Sequence, residues 1–365
     1  MRLALTLSLV AAQLAVGLGI SPIAHTDADS TAELQAKLDA LKPGDTLMLT
    51  GSYSHSGVLV IRVPNITING NGATLNATND PTSSVQIKAD GVTVKNLNLT
   101  APSDGPRYSS PEQDKIFVAG NNATLSNITI TGSAATGVFV LGSSNFLLDR
   151  ITVRGSRADG IHMTDGANNG VVNNVVTERT GDDGVAVISY TDRNTPFAGI
   201  CHDIQINNPT VNGTTFGRGI SVGGGENIVY RNVRVSETWG AGVYVTTEGD
   251  PFYTQATNGV QVLGGTVTGA NYSPVPAMGA IAVYGEHPGF ATTNVTIAGL
   301  SVVNTHPEAQ RDIRVSVKDG GAVDNVALSD IRIQQQGDLP ALYSNVPPEA
   351  LKLTDVTLNG QPVTG

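Results

Sequence analysis

The chain has 365 residues, a formal net charge of −10 at pH 7 and only 14% charged residues. The negative charge argues against a nucleic-acid-binding protein, which needs a basic face. The single cysteine, Cys201, excludes an internal disulfide framework, and the length is sufficient for a sizeable core.

The first predicted element is an apolar N-terminal run. One arginine precedes the apolar residues 3–20, and small residues follow them, which is typical of a secretory signal peptide or an N-terminal anchor. Residues 1–28 are therefore excluded from the fold, and residues 29–365 are expected to form one domain. No later stretch is apolar enough to span a membrane. We expect a secreted or cell-envelope protein of a bacterium.

One clear helical stretch follows, at residues 31–41. Leu34, Leu38 and Leu41 recur at helical spacing, and Ser30 or Thr31 can cap the first turn. The remainder of the chain consists of short, alternating, β-branched segments that are interrupted by Gly, Asn, Asp and Ser. These segments read as strands separated by Asn/Asp turns.

The strands repeat. A glycine precedes five of them, at Gly137, Gly160, Gly184, Gly219 and Gly242, and three of the four separations are 23 or 24 residues. This period, with about three strands per turn, predicts an all-β fold: a single-stranded right-handed parallel β-helix of about 10–11 coils between residues 58 and 358. The helix at 31–41 would cap the N-terminal end, where open strand edges are a liability. A β-sandwich or a propeller is the alternative.

Inward side chains of successive coils should stack as aliphatic ladders about 4.8 Å apart. The residues that follow the glycines form the first predicted ladder, Val138, Ile161, Val185, Ile220 and Val243. Two insertions interrupt the period, within residues 190–203 and 248–259. Both follow the same end of the equivalent strand, so they should overhang one side of one sheet, where loops commonly carry binding.

Acidic residues cluster at one point of the repeat. Asp159 and Asp183 immediately precede glycines of the column, Asp182 adjoins Asp183, and Arg218 holds the equivalent position in the next coil. Strict alternation would direct Asp159 and Asp183 into the interior, where an ionised carboxylate is very costly. We interpret the stacked glycines as a bend with φ values that other residues avoid. The three carboxylates are then expected to face solvent.

Three clustered carboxylates suit glycoside hydrolysis. One of them can be held protonated by its like-charged neighbours and serve as the acid, while another, ionised, activates water. Arg218 would help to keep at least one of them ionised. The alternative is that each Asp merely satisfies the backbone of a β-helix turn.

At these residues the sequence resembles a known family. The motifs "ADG", "GDDG" and "GRG" are similar to the N-T-D-G, G-D-D-C and G-H-G of the polygalacturonases, glycoside hydrolase family 28, and also to motifs of bacterial α-1,3-glucanases on a related β-helix. The resemblance implies an inverting hydrolase in which Asp182 is the general acid and Asp159 and Asp183 activate water. Arg218 replaces the family's histidine, and the coil at 241–250 lacks its basic pair. A neutral or other glycan is therefore expected instead of galacturonate.

Further residues are candidates for contact with substrate. His162, Phe139 and Tyr244 lie on the predicted outer face, and Tyr190 and Arg193 lie in the first insertion. Aromatic rings there could stack on sugars, or they could simply cover the sheet. Trp239 is a candidate sugar platform or corner filler.

The sequence thus predicts a secreted, monomeric glycoside hydrolase that acts on a polysaccharide without a cofactor or metal. Two alternatives remain open. One is a polysaccharide lyase or uronate epimerase, in which the Asp cluster and Arg218 could serve calcium. The other is a non-catalytic glycan-binding β-helix, since a fold does not by itself define a function.

Overall fold

The computed structural model describes residues 28–191, 199–275 and 277–364. The predicted signal peptide, up to residue 27, therefore lies outside the described residues. Within them, no helix is long and apolar enough to cross a membrane.

The α-helix α1 (Thr31–Asp39) lies where the sequence predicts it. Leu34 and Leu38 are buried against the first coil, so the helix covers the N-terminal end of the core. Ser30 occupies the N-cap position, as the sequence predicts, but its side chain makes no capping hydrogen bond. Instead, Asp29 Oδ1 accepts hydrogen bonds from the Thr31 backbone N–H at 3.0 Å and the Thr31 hydroxyl at 2.6 Å.

Nearly all other regular structure is β. The strands are β1 (Thr46–Met48), β2 (Ser52–His55), β3 (Leu59–Ile61), β4 (Thr67–Asn69), β5 (Thr74–Ala77), β6 (Val85–Ile87), β7 (Thr93–Thr100), β8 (Ile116–Val118), β9 (Thr124–Ser133), β10 (Val138–Leu141), β11 (Leu147–Ser156), β12 (Ile161–Thr164), β13 (Val171–Asn173), β14 (Val176–Thr180), β15 (Val185–Ile188), β16 (His202–Asn207), β17 (Thr210–Thr214), β18 (Ile220–Gly223), β19 (Gly225–Ser236), β20 (Val243–Thr247), β21 (Thr257–Asn258), β22 (Gln261–Thr268), β23 (Ile281–Gly285), β24 (Ala291–Val303), β25 (Ile313–Val317), β26 (Ala322–Gln334), β27 (Leu342–Ser344), β28 (Leu351–Leu358) and β29 (Gln361–Pro362). Three short 3₁₀ helices lie at Asp80–Thr82, Pro307–Ala309 and Pro348–Ala350.

One sheet contains a single strand from each coil. Its eleven strands run in the order β3, β6, β8, β10, β12, β15, β18, β20, β23, β25, β27, and every pairing in it is parallel. We call it the site sheet. Its eleven strands confirm a parallel β-helix with the predicted number of coils.

The predicted ladders have the observed register. Val138 pairs with Ile161, and the same column continues through Val185, Ile220 and Val243. These side chains belong to one apolar core that runs along the described part of the chain. The remaining strands form an 18-stranded sheet that wraps the other faces, and β29 closes it by pairing antiparallel to β28.

Asparagines make the corners between the faces, as the sequence predicts. Asn96 and Asn127 adopt positive φ angles of 55° and 53°, a region that asparagine tolerates better than most residues. Their side-chain amides bond from coil to coil, with Asn127 Nδ2 donating to Asn96 Oδ1 at 2.8 Å. Further along, Asn294 donates to Asn258 at 2.7 Å. These amide ladders fix the turns in register.

Candidate active site on the outer face of the site sheet

Three aspartates meet just before two adjacent strands of the site sheet. Asp159 precedes β12, and Asp182 and Asp183 precede β15. The backbone ladder extends through this column, because Gly160 N–H donates to the Asp183 carbonyl at 2.9 Å. One carboxylate oxygen from each of the three lies within 4.8 Å of the others. The structure therefore brings together the groups that the sequence singles out.

The glycine column explains why these side chains leave the interior, although not for the predicted reason. None of the five glycines has a positive φ, so the expected unusual backbone is wrong. A Cβ at Gly160 would instead lie 2.5 Å from Thr177 Cγ2 and 2.6 Å from the Gly184 carbonyl oxygen. The glycines thus face the opposite wall at a distance that allows no side chain. Alternation stops here, and the preceding aspartates point outward.

The expectation that the carboxylates face solvent is wrong for two of the three. Asp183 and Asp159 are only 4% and 8% exposed, whereas the side chain of Asp182 keeps 16% of its surface. The burial is polar, not aliphatic, since each carboxylate has hydrogen-bond or ionic partners. Loops and neighbouring side chains cover this part of the outer face.

Asp159 and Asp183 are held by similar bonds. Asp159 Oδ1 accepts the backbone N–H of Asp183 at 2.9 Å, and Asp183 Oδ1 accepts that of Arg218 at 2.6 Å. The second oxygens contact His162 Nδ1, 2.8 Å from Asp159, and the hydroxyl of Ser221, bonded to Asp183. Both carboxylates are therefore fixed in place.

An aspartate outside the cluster makes the same backbone bond. Asp114 holds the same column two coils before Asp159, and its Oδ1 accepts the Thr136 N–H at 3.0 Å. The turn-satisfying role that the sequence left open is thus real for this column. It accounts for one oxygen of Asp159 and one of Asp183.

Asp182 differs from its neighbours. Its partner is Arg107, whose Nη1 lies 2.6 Å from Asp182 Oδ2. Burial and the charges of Asp159 and Asp183 raise the pKa of Asp182 to about 7, against the opposing effect of Arg107. A Cβ on Gly217, which has a φ of 83°, would collide with the Asp182 carboxylate. The pKa of Asp182 is therefore raised by its surroundings, and Gly217 leaves space for its carboxylate.

Arg107 and its support were missed by the sequence analysis. Arg107 lies in the segment between β7 and β8, whose backbone is held by the buried Arg157. The guanidinium of Arg157 donates to the carbonyls of Pro102 at 2.9 Å and Pro106 at 3.2 Å, and it pairs with Asp80 at 2.6 Å. The sequence signal that could have indicated Arg107 is the length of this segment, which exceeds that of the segments before the later strands of the site sheet.

Arg218 closes the other side of the cluster. Its guanidinium pairs with Glu248 and lies 3.6 Å from Asp183 Oδ1. Burial alone would lower the pKa of Arg218, but Glu248 and Asp183 raise it well above its usual value. Burial raises the pKa of Asp183, and Arg218 counteracts that effect. The predicted role of Arg218 beside an ionised carboxylate agrees with this geometry.

The other predicted contact residues divide into two groups. Phe139, His162 and Tyr190 form a stack, with ring centroids 5.0 and 6.4 Å apart. Tyr244 is nearly buried, and the Arg218 guanidinium lies 4.4 Å above its ring. Arg218 therefore covers one face of the Tyr244 ring, and sugar stacking on Tyr244 stays a prediction. Arg193 lies outside the described residues.

The two insertions lie on the same side of the sheet, as the sequence predicts, and they also contact each other, which it does not predict. Tyr190 and Thr254 form an antiparallel bridge, and the Thr191 N–H donates to the Tyr253 carbonyl at 2.8 Å. The contact lies past the carboxyl ends of β15 and β20. It forms a wall opposite the aspartates.

Two cavities are lined by residues that lie against Asp182, Arg107 in one and Gly217 in the other, although no aspartate of the cluster lines either cavity. The first, of about 740 Å³, adjoins Arg107 and Gly181. The second, of about 380 Å³, runs toward the C-terminal coils and is called the C-terminal groove; its lining residues are Phe216, Gly217, Arg218, Trp239, Gly240, Tyr244, Glu248, Asp250, Phe252, Met278, Tyr284, Glu286, Arg314 and Lys318. Phe216 lines both and is 49% exposed, with its ring 4.3 Å from that of Trp239.

A divalent cation is the other use that three carboxylates suggest. Calcium requires six to eight oxygen ligands, whereas both oxygens of Asp159 and of Asp183 already accept hydrogen bonds. The guanidinium of Arg107 also contacts Asp182. These contacts compete with a cation for the carboxylate oxygens, each of which keeps a second lone pair.

A comparison with protein families agrees with the observed fold class. A family model described as a right handed beta helix region matches residues 83–258, and no curated protein matches the chain. The molecule is a right-handed parallel β-helix with an acidic cluster outside one sheet, as the sequence predicts.

Several solved structures are similar to this chain in fold. The catalytic domain of a GH87 α-1,3-glucanase variant in complex with tetrasaccharides has a TM-score of 0.67 at 17% identity, over 87% of this chain and 61% of that one. The GH87 catalytic unit from Streptomyces thermodiastaticus strain HF3-3 gives 0.55 at 17%, over 92% and 66%. The mannuronan C-5 epimerase A-module from Azotobacter vinelandii gives 0.53 at 16%, over 91% and 96%. The chain spans less than two thirds of the first of these structures, and the likeness concerns the fold.

Proposed function

We propose that the protein is a glycoside hydrolase that cleaves a polysaccharide at the three-aspartate cluster. The observation that carries the proposal is the convergence of the carboxyl groups within 4.8 Å beside a groove. The raised pKa of Asp182, about 7, supports its assignment as the acid. The fold likeness to α-1,3-glucanases agrees with this chemistry.

Each carboxyl group has a distinct role in this proposal. Asp182 is the most exposed of the three and gives its proton to the glycosidic oxygen as the bond to the anomeric carbon breaks. Asp183 and Asp159 hold and deprotonate the attacking water. Their bonds to backbone N–H groups orient them before substrate arrives. His162, bonded to Asp159 at 2.8 Å, fixes the second oxygen of that carboxylate.

We propose inversion of the anomeric configuration, as the family resemblance implies. Carboxyl groups of inverting enzymes are commonly about 6.5–9.5 Å apart, so the close spacing here does not itself support inversion. What supports it is that hydrogen bonds already engage both oxygens of Asp159 and of Asp183. Carboxylates fixed in this way are better suited to orient water than to attack the sugar. Proton NMR of the first-formed product distinguishes the two courses.

Calcium-dependent lyase or epimerase chemistry on this fold is the second candidate. The epimerase likeness favours it, but the occupied carboxylate oxygens and Arg107 oppose it.

We also propose that the protein acts outside the cytoplasm, as expected from its N-terminal segment.

A glycan screen tests the proposed function. The wild-type protein should release reducing ends from at least one polysaccharide, and Asp182→Asn should lower that rate by about 10²–10⁴-fold because the acid is lost. Asp330→Asn, at an exposed carboxyl, is the control and should retain full activity. Release of unsaturated uronate that chelator abolishes would instead establish a lyase. Binding without turnover would establish a glycan-binding protein.

A further inference from the structure

Two arginines converge at the far end of the C-terminal groove. Arg311 Nη1 and Arg314 Nη1 each donate to the carbonyl oxygen of Ala277, both at 3.4 Å. A single weakly bonded carbonyl therefore lies between two guanidinium groups. Both side chains are half-buried.

The charge of this pair is not balanced within the described residues. Other arginines near the groove have carboxylate partners, as Arg218 has Glu248, but neither Arg311 nor Arg314 forms an ion pair with a described carboxylate. Burial, and then the nearby charge of Arg314, lower the pKa of Arg311. Like charges are held together here at a cost.

Aromatic rings fix both guanidiniums. Arg314 lies 4.9 Å above the ring of Tyr284, and Arg311 lies 5.1 Å above that of Tyr343. Arg314 Nε also donates to Ser316 Oγ at 2.7 Å. Guanidiniums stacked on rings and held in position are suited to bidentate recognition of an oxyanion.

The pair lies on the same face as the aspartates. Arg314 is in register with Ala282, Tyr244, Ser221 and Ala186, four strands beyond the coil of Asp183. Four strand spacings correspond to about 19 Å along the axis. The groove joins the two places, since its lining includes Gly217 and Arg314. Acidic residues in its lining have other partners, namely Arg218 for Glu248, Lys318 for Glu286 and the Tyr253 hydroxyl for Asp250.

We propose that Arg311 and Arg314 bind an oxyanion, a carboxylate or a sulfate ester, carried by the glycan several sugar units from the cleaved bond. The inference rests on the proposed function and narrows its substrate class from polysaccharides in general to acidic ones, in contrast to the neutral glycan that the sequence favours. One polymer lying along the groove would then occupy the aspartate cluster and the arginine pair together.

Binding by the full chain carrying Asp182→Asn tests this without turnover. Oligogalacturonate and oligoglucuronate, their carboxyl-reduced neutral forms of equal length, and sulfated glucan oligosaccharides are compared by calorimetry. We expect at least one acidic oligosaccharide to bind at least tenfold more tightly than its neutral form. Arg314→Gln and Arg311→Gln should each remove most of that difference, and Arg314→Lys should retain part of it.

Arg332→Gln, at an exposed arginine of β26, is the control and should bind like its parent. Carboxylate or sulfate as the preferred group would identify the source of the oxyanion. Equal binding of acidic and neutral forms, equal weakening of both by Arg314→Gln, or no binding of any acidic oligosaccharide would overturn the inference. If neutral glycans are hydrolysed at a rate that Arg314→Gln leaves unchanged, the proposed function stands and this inference fails. If acidic glycans bind through Arg314 but the wild-type protein does not cleave them, this inference stands and the proposed function fails.

Discussion

At the scale of single residues, the site depends on a contrast between carboxyl groups of similar position. Asp159 and Asp183 bond to backbone N–H groups, as Asp114 does outside the cluster. Asp182 instead contacts a partly exposed side chain, Arg107, from another coil. The sequence could identify the aspartates because they recur with the repeat. It could not identify Arg107, because its position depends on how an irregular segment folds over the sheet.

Replacing Arg107 should change the pH profile of hydrolysis. Arg107 lowers the pKa of Asp182, so Arg107→Gln should raise it and keep the acid protonated to higher pH. The alkaline limb of kcat/KM should move upward by about half to one pH unit, a reduced effect because Arg107 is partly exposed. Rates measured between pH 5 and 9 provide the check.

The control for Arg107 is a second arginine beside the same cavity. Arg154 lies 2.6 Å from Glu178 and contacts none of the three aspartates. Arg154→Gln should leave the alkaline limb in place. A limb that Arg107→Gln moves downward would show that Asp182 is not the acid.

At the scale of elements, the five glycines and the strands they precede set the direction of the aspartates. The sequence predicted the column and the register of β10, β12, β15, β18 and β20, because a repeat fixes both. The predicted cause of the bend, an unusual φ at the glycines, was wrong. The close approach of two faces of the β-helix cannot be inferred from spacing along the chain. The contact between the insertions could be predicted only as a common side of the sheet.

Substitution in the glycine column should destabilise the fold. A Cβ at Gly184 would lie 2.6 Å from both the Gly219 carbonyl oxygen and Val211 Cγ1. Gly184→Ala should therefore lower the free energy of unfolding by about 1–3 kcal/mol. Chemical denaturation followed by circular dichroism measures the change.

Gly337 offers a matched control, because a Cβ there meets nothing within 4 Å. Gly337→Ala should leave the unfolding midpoint almost unchanged. An unchanged midpoint for Gly184→Ala would mean that the walls can separate without cost, which contradicts the close-packed account of the column.

At the scale of the whole molecule, the covered outer face concentrates carboxyl groups of raised pKa. Burial raises the pKa of Asp114 to about 7, and burial with neighbouring carboxylates raises that of Asp182 to the same value. The coil number and the core could be predicted because they follow from the period, and the capping helix because its leucines recur at helical spacing. The extent of cover over the outer face could not, since it comes from segments outside the repeat.

These carboxyl groups should make stability depend on pH. Through these carboxyl groups the folded protein binds more protons than the unfolded chain between about pH 4 and pH 7, so their contribution to the free energy of unfolding falls as pH rises through that window. Asp114 alone should contribute on the order of 2–4 kcal/mol. Asp114→Asn, which keeps an acceptor for Thr136 N–H, should flatten the slope measured by denaturation at pH 4.5 and 7.5.

Asp338→Asn, at an exposed carboxyl, should leave that slope as it is. A slope of opposite sign, with stability increasing toward pH 7, would indicate that these carboxyl groups are ionised without cost in the folded state.

The amide ladders have a consequence for how such a molecule can change length. Asn325 bonds to Asn294, and Asn294 to Asn258, so successive corners present the same donor and acceptor to the next turn of chain. An extra coil duplicated from this region would pair its asparagines and strand edges with those of the coils on both sides. It would move the arginine pair away from the aspartates by one step of about 4.8 Å while altering neither. Duplication of single coils would thus change the distance between the aspartate cluster and the arginine pair in steps of one coil.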